Sequence, residues 1–219
     1  VHKASGVFYT SDGRDIEMSV ASTKAFYAQL AAGNLLALYL AARLGRLLPS
    51  AQRALVAELR RLPGEMARVL AMSDALRMTA RRNLLRRRHW ALAGSGPNHI
   101  AAKEIRIKLS ELCYKSIACD YLEDKKHIDL SSEPLIVVCA AGLDETNLAD
   151  SVKEVAIFKA HRSLPVVITD ADPAVFAPYA AEVIAVPRIA PHLTPVLVTM
   201  AGHLLGYHTA TAIDDAARV

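Results

Sequence analysis

A chain of 219 residues that is 53% hydrophobic and 22% charged, with a formal net charge of +4, is long enough to bury a sizeable core in one domain or two. Ala supplies much of the hydrophobic fraction, no uninterrupted apolar run is long enough to span a bilayer, and no leading segment reads as a signal peptide, so a cytoplasmic protein with no membrane partner is expected. The positive excess gathers in Arg81, Arg82, Arg86, Arg87 and Arg88, at a predicted helix end where cations suit the last carbonyls; without interleaved aromatics it points away from DNA and RNA.

Residues 1–20 read as an extended or looped segment with one turn signal at Ser11-Asp12-Gly13. A long helical pattern then opens with Ser22 as N-cap. Phe26, Leu30, Gly33, Ala37, Leu40, Ala41 and Leu44 recur at helical spacing, so this helix is apolar over most of its surface and must pack into a core or against another subunit. From Pro49 to Arg88 the pattern is helical, amphipathic and Arg-rich, with a break predicted at Pro63-Gly64 and two or three connecting helices. Glu58, Glu65 and Asp74 have Arg neighbours at helical spacing and are expected to be surface pairs.

Short apolar runs then alternate with helices. Strands are predicted at Trp90 to Ala93, Ser116 to Asp120, Leu135 to Ala140, Val166 to Asp170 and Val183 to Val186. Helices are predicted at Asn98 to Tyr114, Asp144 to His161, weakly near Pro173 to Ala181, and at His192 to Ala212. Buried strands separated by helices imply an α/β three-layer sandwich with a five-stranded parallel, flavodoxin-like sheet, whose ligands bind beyond the strand carboxyl ends. The three cysteines, Cys113, Cys119 and Cys139, make no C-x-x-C spacing and read as reduced structural thiols. His203 and His208, five apart on an apolar helix, do not share a face and read as packed or interface histidines. Asp170 and Asp172 read as a turn and helix cap. No metal, nucleotide, flavin or other cofactor is indicated.

The segment from Asn98 to His127 organises the rest. It follows the turn Gly94-Ser95-Gly96, an arrangement in which backbone N–H groups and a helix N-terminus face a ligand. Glu104, Lys108 and Glu111 fall at i, i+4 and i+7 and share one helix face beside the apolar stripe of Ala101, Ile105, Leu109 and Leu112. That pattern has two readings: a solvated face with an ordinary ion pair, or a cleft in which a carboxylate moves a proton while an ammonium holds developing negative charge.

The segment Val20 to Phe26, the Gly94-Ser95-Gly96 turn, the Glu104-x-x-x-Lys108-x-x-Glu111 helix, His127 and the segment Leu205 to His208 resemble, in that order, the sugar isomerase (SIS) family, specifically the isomerase half of glutamine:fructose-6-phosphate transaminases. The resemblance implies aldose-ketose isomerisation of a phosphorylated sugar, coupled in the whole enzyme to amination. It implies Glu111 as the base that moves the proton between C1 and C2, Lys108 as the stabiliser of the intermediate's oxygen, and His127 as the ring-opening histidine, donated across a subunit interface. Glu17, Val20 and Ser22, with Gly94, Ser95, Gly96 and Glu104, fall where substrate is bound. A homodimer is implied as well.

On this resemblance residues 1–48 are the tail of a first SIS lobe, 49–88 connecting helices and 89–219 a complete second lobe, and the chain is expected to be a fragment, inactive alone. It departs from the family at Ile128-Asp129, where Gly-Pro is usual, which puts the His127 geometry in question. At the start of the helix after Ala140-Ala141-Gly142, Asp144 and Glu145 would repel a phosphate. A SIS-type sensor that binds a sugar phosphate without chemistry is the alternative.

Overall fold

The computed structural model describes residues 3–11, 23–127 and 130–218. The chain divides into two compact units, Val1–Arg60 and Arg61–Val219.

In the first unit the main element is α1 (Thr23–Arg43), which has no buried residue. Leu35, Leu36, Tyr39 and Leu40 are exposed along it. Twenty-one residues of this composition are long and apolar enough to cross a membrane by length and composition alone. That qualifies the expectation of no bilayer-length segment: Gln29 and Asn34 interrupt the apolar run in sequence, but a helix is measured by its whole length.

The next helix departs from expectation. α2 (Pro49–Ala71) runs without interruption through Pro63 and Gly64, although an interior proline removes one backbone bond and crowds the carbonyl four residues back, costing about 3 kcal/mol. Leu62 and Val69 are buried on either side. Glu65 lies between Arg61 and Arg68, at 3.2 and 2.8 Å. Burying two aliphatic side chains contributes about 3–6 kcal/mol, enough to offset the proline. Glu65 is therefore a buried carboxylate held by two guanidinium groups, not the surface pair expected. Asp74 does form an exposed pair with Arg77. The break comes at Met72, and α3 (Ser73–Asn83) follows.

The rest of the second unit is built on five parallel strands, β1 (Trp90–Ala93), β2 (Ala118–Asp120), β3 (Leu135–Cys139), β4 (Leu164–Thr169) and β5 (Glu182–Ala185), in the order β2-β1-β3-β4-β5. Every residue of β1 and β3 is buried, as a sheet covered on both faces requires. One face carries α5 (Leu122–Lys125) and α6 (Glu145–Ala160), whose Leu122, Val155 and Phe158 pack on Ala91, Ile136, Val138 and Val167. α4 (Pro97–Cys113) and α7 (Thr194–Ala217) pack on one another and reach β1, β3 and β4, with α3 against α7. The region near Pro173 forms only a single tight turn, Pro173–Val175; Asp172 caps it by accepting from the Ala174 N–H.

Strand order reverses between β1 and β3, the topological switch point of such sheets. Two glycines there are required, Gly94 by packing and Gly96 by its backbone angle. A Cβ on Gly94 would sit 2.7 Å from the Asn98 carbonyl oxygen, and Gly96 has φ +57.

Candidate functional site

The residues singled out in the sequence fall at two places. α4 begins beyond the carboxyl end of β1 and must end near the amino edge, since β2 follows it and runs parallel to β1. At about 1.5 Å per helical residue, Gly96 and Lys108 are therefore about 18 Å apart. Within one chain the Gly94-Ser95-Gly96 turn and the Glu104-Lys108-Glu111 face do not share a pocket.

At the carboxyl edge, Ser95, Gly96, Asn98, Glu123, Asp144, Asp150, Lys153 and Glu154 are among the residues lining a cleft of about 340 Å³. Ser95 Oγ donates to Glu123 at 2.9 Å and accepts from the Leu122 N–H. The buried Asn98 amide clamps the edge: its Nδ2 donates to the Ala141 carbonyl at 2.9 Å and its Oδ1 accepts from the Ala141 N–H at 3.1 Å. Asp144 caps α6 by accepting from Asn147 N–H at 2.8 Å. These bonds hold its carboxyl below the usual range, so a carboxylate already satisfies the helix start where a phosphate would bind. Asp170 accepts from the Gly142 N–H at 2.8 Å, the turn-fixing role its sequence position suggested.

The other place is the seam between α4 and α7. Lys108 is 4% exposed, and its Nζ lies 3.9 Å from Glu104 Oε1. His203 Nε2, from α7, approaches the same oxygen to 3.3 Å. Burial pushes the Glu104 carboxyl up, Lys108 draws it down and Glu111 raises it again. His203 is pushed down to about 4, first by burial and then by the Lys108 charge, so the ring is neutral at physiological pH. Glu111 is exposed one turn beyond Lys108. A buried ammonium beside an exposed carboxylate is a combination able to move a proton and steady the oxyanion that results.

His127 is exposed, after α5, and its backbone N–H bonds to the Asp124 carbonyl. Among the described residues no ion pair or hydrogen bond joins it to Lys108 or Glu111. Glu17, Val20 and Ser22, and the departures at Ile128 and Asp129, lie outside the described residues. Among the described residues no group of three or more His, Cys, Asp or Glu is placed to hold a metal ion. The cysteines are free, with burial pushing Cys113 and Cys119 up to about 11 and Cys139 further still.

Sequence reasoning missed the Asn98 clamp and the meeting of His203 with Glu104. The only available signal for the second was the Gly202-His203 step: a Cβ on Gly202 would lie 2.3 Å from Ile105 Cγ1, so α7 rides unusually close to α4 at the residue before the histidine.

No family model matches this chain. The glutamine–fructose-6-phosphate aminotransferase (isomerizing) of Methanosarcina mazei is 29% identical over 218 residues, covering 98% of this chain and 34% of that protein. The chain thus spans about a third of the length of the curated relatives it matches. The C-terminal domain of glucosamine-fructose-6-phosphate aminotransferase from Francisella tularensis superposes with a TM-score of 0.81 at 23% identity, covering 90% of this chain and 56% of that one. The sugar isomerase domain of an RpiR transcription factor from Sphaerobacter thermophilus superposes at 0.56 and 14% identity, covering 75% of this chain and 98% of that one.

Proposed function

Because this chain is a homologue of the C-terminal, sugar isomerase part of the glutamine–fructose-6-phosphate aminotransferases, we propose that it supplies catalytic groups for ketose-aldose isomerisation of a sugar phosphate in an enzyme that makes an amino sugar phosphate. The observation that carries this is the α4 face, where Lys108 is buried against Glu104 and Glu111 stands exposed one turn on. Glu111 takes the proton from the carbon beside the carbonyl and returns it to the neighbouring carbon. Lys108 holds the enediolate oxygen that carries the charge between the two transfers. His127, exposed and without partners among these groups, acts in ring opening from another subunit's edge, which makes a homodimer part of the proposal. Residues 1–48 belong to the first lobe, 49–88 connect, and 89–219 form the second. Glu17, Val20, Ser22 and Glu104 line the sugar, and the Gly94-Ser95-Gly96 turn contributes from its own edge of the sheet. The setting is cytoplasmic.

In the full-length protein, Glu111→Gln is expected to lower turnover of fructose 6-phosphate by at least about a hundredfold while calorimetric binding of the sugar phosphate stays within about threefold, as expected for a residue acting on the transition state rather than on ground-state binding. Unchanged turnover would sink the assignment. A second reading has one observation behind it, the likeness to the sugar isomerase domain of a transcription factor: a sensor that binds sugar phosphate and performs no chemistry. Binding by the wild-type protein without any isomerisation would select it.

A further inference from the structure

Resting on that reading of His127, we propose that Glu154 is a positioning residue for ring opening: by holding Lys126 it fixes the turn from which the His127 imidazole is presented to the sugar.

His127 belongs to a short piece of chain with little structure of its own. α5 is four residues long, far below the length at which a helix persists unaided, and the turn after it carries a backbone bond from the His127 N–H to the Asp124 carbonyl at 2.9 Å. Other elements hold this piece in place. At its start the Ser95 hydroxyl accepts from the Leu122 N–H at 3.2 Å and donates to Glu123 at 2.9 Å. In its middle the buried Lys125 forms an ion pair at 3.3 Å with Asp120, the last residue of β2. At its end Lys126 Nζ donates to Glu154 Oε1, on α6, at 2.5 Å. The Lys126 and His127 Cα atoms are joined by one trans peptide, about 3.8 Å, so this last tether acts next to the histidine.

Glu154 is 8% exposed, beside Val155 on α6 and one turn before Phe158. Burying a carboxylate is unfavourable unless it is paired, and an apolar residue in the same place would hold α6 to its neighbours at least as well. Its Oε2 is buried with no hydrogen-bond partner, so Lys126 is the contact this charge makes. What a buried ion pair adds over an apolar contact is one preferred arrangement, because either charge left alone is costly. Applied to the turn after α5, that preference keeps the exposed His127 in one place, where another subunit's sugar can meet it.

The step served is sensitive to place. Opening a ketofuranose phosphate breaks the C2–O5 bond, puts a proton on O5 and takes one from the C2 hydroxyl, leaving a carbonyl at C2. An imidazole is suited to such transfers only within hydrogen-bond reach, and a displacement of about 1 Å can cost on the order of a hundredfold.

The test has two arms. Lys126→Met combined with Glu154→Leu removes both charges together, so neither is left unpaired. In the full-length protein this double variant should lower kcat for fructose 6-phosphate about tenfold and leave kcat for 5-deoxyfructose 6-phosphate within about twofold, because the second compound lacks the oxygen that closes the ring. Equal losses on the two substrates, no loss on fructose 6-phosphate, or no turnover of the deoxy compound by the wild type overturns the proposal. If the double variant does not fold, Glu154→Gln, which keeps the shape and drops the charge, must show the same selective loss of at least about threefold, and its absence overturns the proposal instead. Backbone relaxation of the wild-type 219-residue chain supplies the other arm: the His127 amide order parameter should be about 0.85, the rigid value, and one closer to about 0.6, the flexible limit, overturns the proposal. His127→Ala separates the levels. If it lowers turnover of fructose 6-phosphate alone while the double variant changes nothing, only the positioning role falls; if it lowers neither substrate or both alike, the ring-opening reading and this inference fall together.

Discussion

Replacing Gly202 by Ala tests the tightest site for an added methyl among the described glycines. The new Cβ would lie 2.3 Å from Ile105 Cγ1, 2.4 Å from Cδ1 and 2.9 Å from Cγ2, more than 1 Å inside ordinary contact for the first two. Ile105 has no exposed surface, and Cγ1 is one bond from its backbone-fixed Cβ, so it cannot swing aside without displacing packed neighbours. Overpacking of this kind costs about 1–3 kcal/mol, and the size of the overlap argues for the upper end. Alanine in a helix recovers about 1 kcal/mol over glycine, leaving a net loss of about 2 kcal/mol. Gly206 supplies the internal control, because its Cβ would meet Leu109 Cδ2 at an ordinary 3.6 Å. Gly206→Ala should therefore keep the helical gain and stabilise by up to about 1 kcal/mol. Urea unfolding followed by the single tryptophan, Trp90, which is buried in β1, reads both variants. Opposite signs are expected. Adding Ile105→Ala to Gly202→Ala should cost less than the two separate losses combined, by about 1–2 kcal/mol, because the new methyl fills part of the cavity. If Gly202→Ala is as stable as wild type, α7 does not sit where these distances place it.

Three further outcomes follow from other parts of the molecule. The unfolded chain protonates His203 below about 6.5 while the folded chain does so only near 4, so protons bind preferentially to the unfolded state in that window and stability falls as pH is lowered through it, by roughly 3 kcal/mol at full extent; His208, also depressed by burial, adds in the same direction. Urea midpoints at pH 7, 5.5 and 4.5 should show this slope and His203→Gln should flatten it, whereas an unchanged slope refutes the assignment. Asn98→Leu removes both bonds to Ala141 and leaves a buried N–H and C=O unpaired, a loss of about 2–4 kcal/mol measurable by the same unfolding experiment. With burial raising all three thiols, a thiol reagent at pH 8 should label the folded second unit slowly and the urea-unfolded chain at three sites; rapid labelling while folded would contradict the packing.

How far the sequence revealed these features depended on how local their causes were. The strands were legible because β1 and β3 are short apolar runs next to turn residues, and burial on both faces leaves that mark on consecutive positions. The α4 face was legible because Glu104, Lys108 and Glu111 share one helix and their spacing alone aligns them. Pro63 misled, since its local preference to end a helix was overridden by the burial of Leu62 and Val69. Glu65 misled in the same way: its Arg neighbours are visible in sequence, but its burial is not. The convergence on Glu104 was out of reach, because His203 is brought there by a helix almost a hundred residues away, and Gly202 marks only where α7 comes close to α4, not that the histidine after it meets a carboxylate while His208 meets Ser73 at 2.9 Å.

Asn98 binds the Ala141 peptide with one donor and one acceptor at once, and no other side chain of that length can do the same. Aspartate has its shape but offers oxygen to a carbonyl, serine reaches too short a distance, and glutamine carries its amide one carbon too far. The position therefore has a vocabulary of one letter. It would stay fixed through evolutionary drift even in descendants that had lost every reaction, so its persistence in a relative would testify to the joint between two loops and say nothing of what the cleft beside it holds.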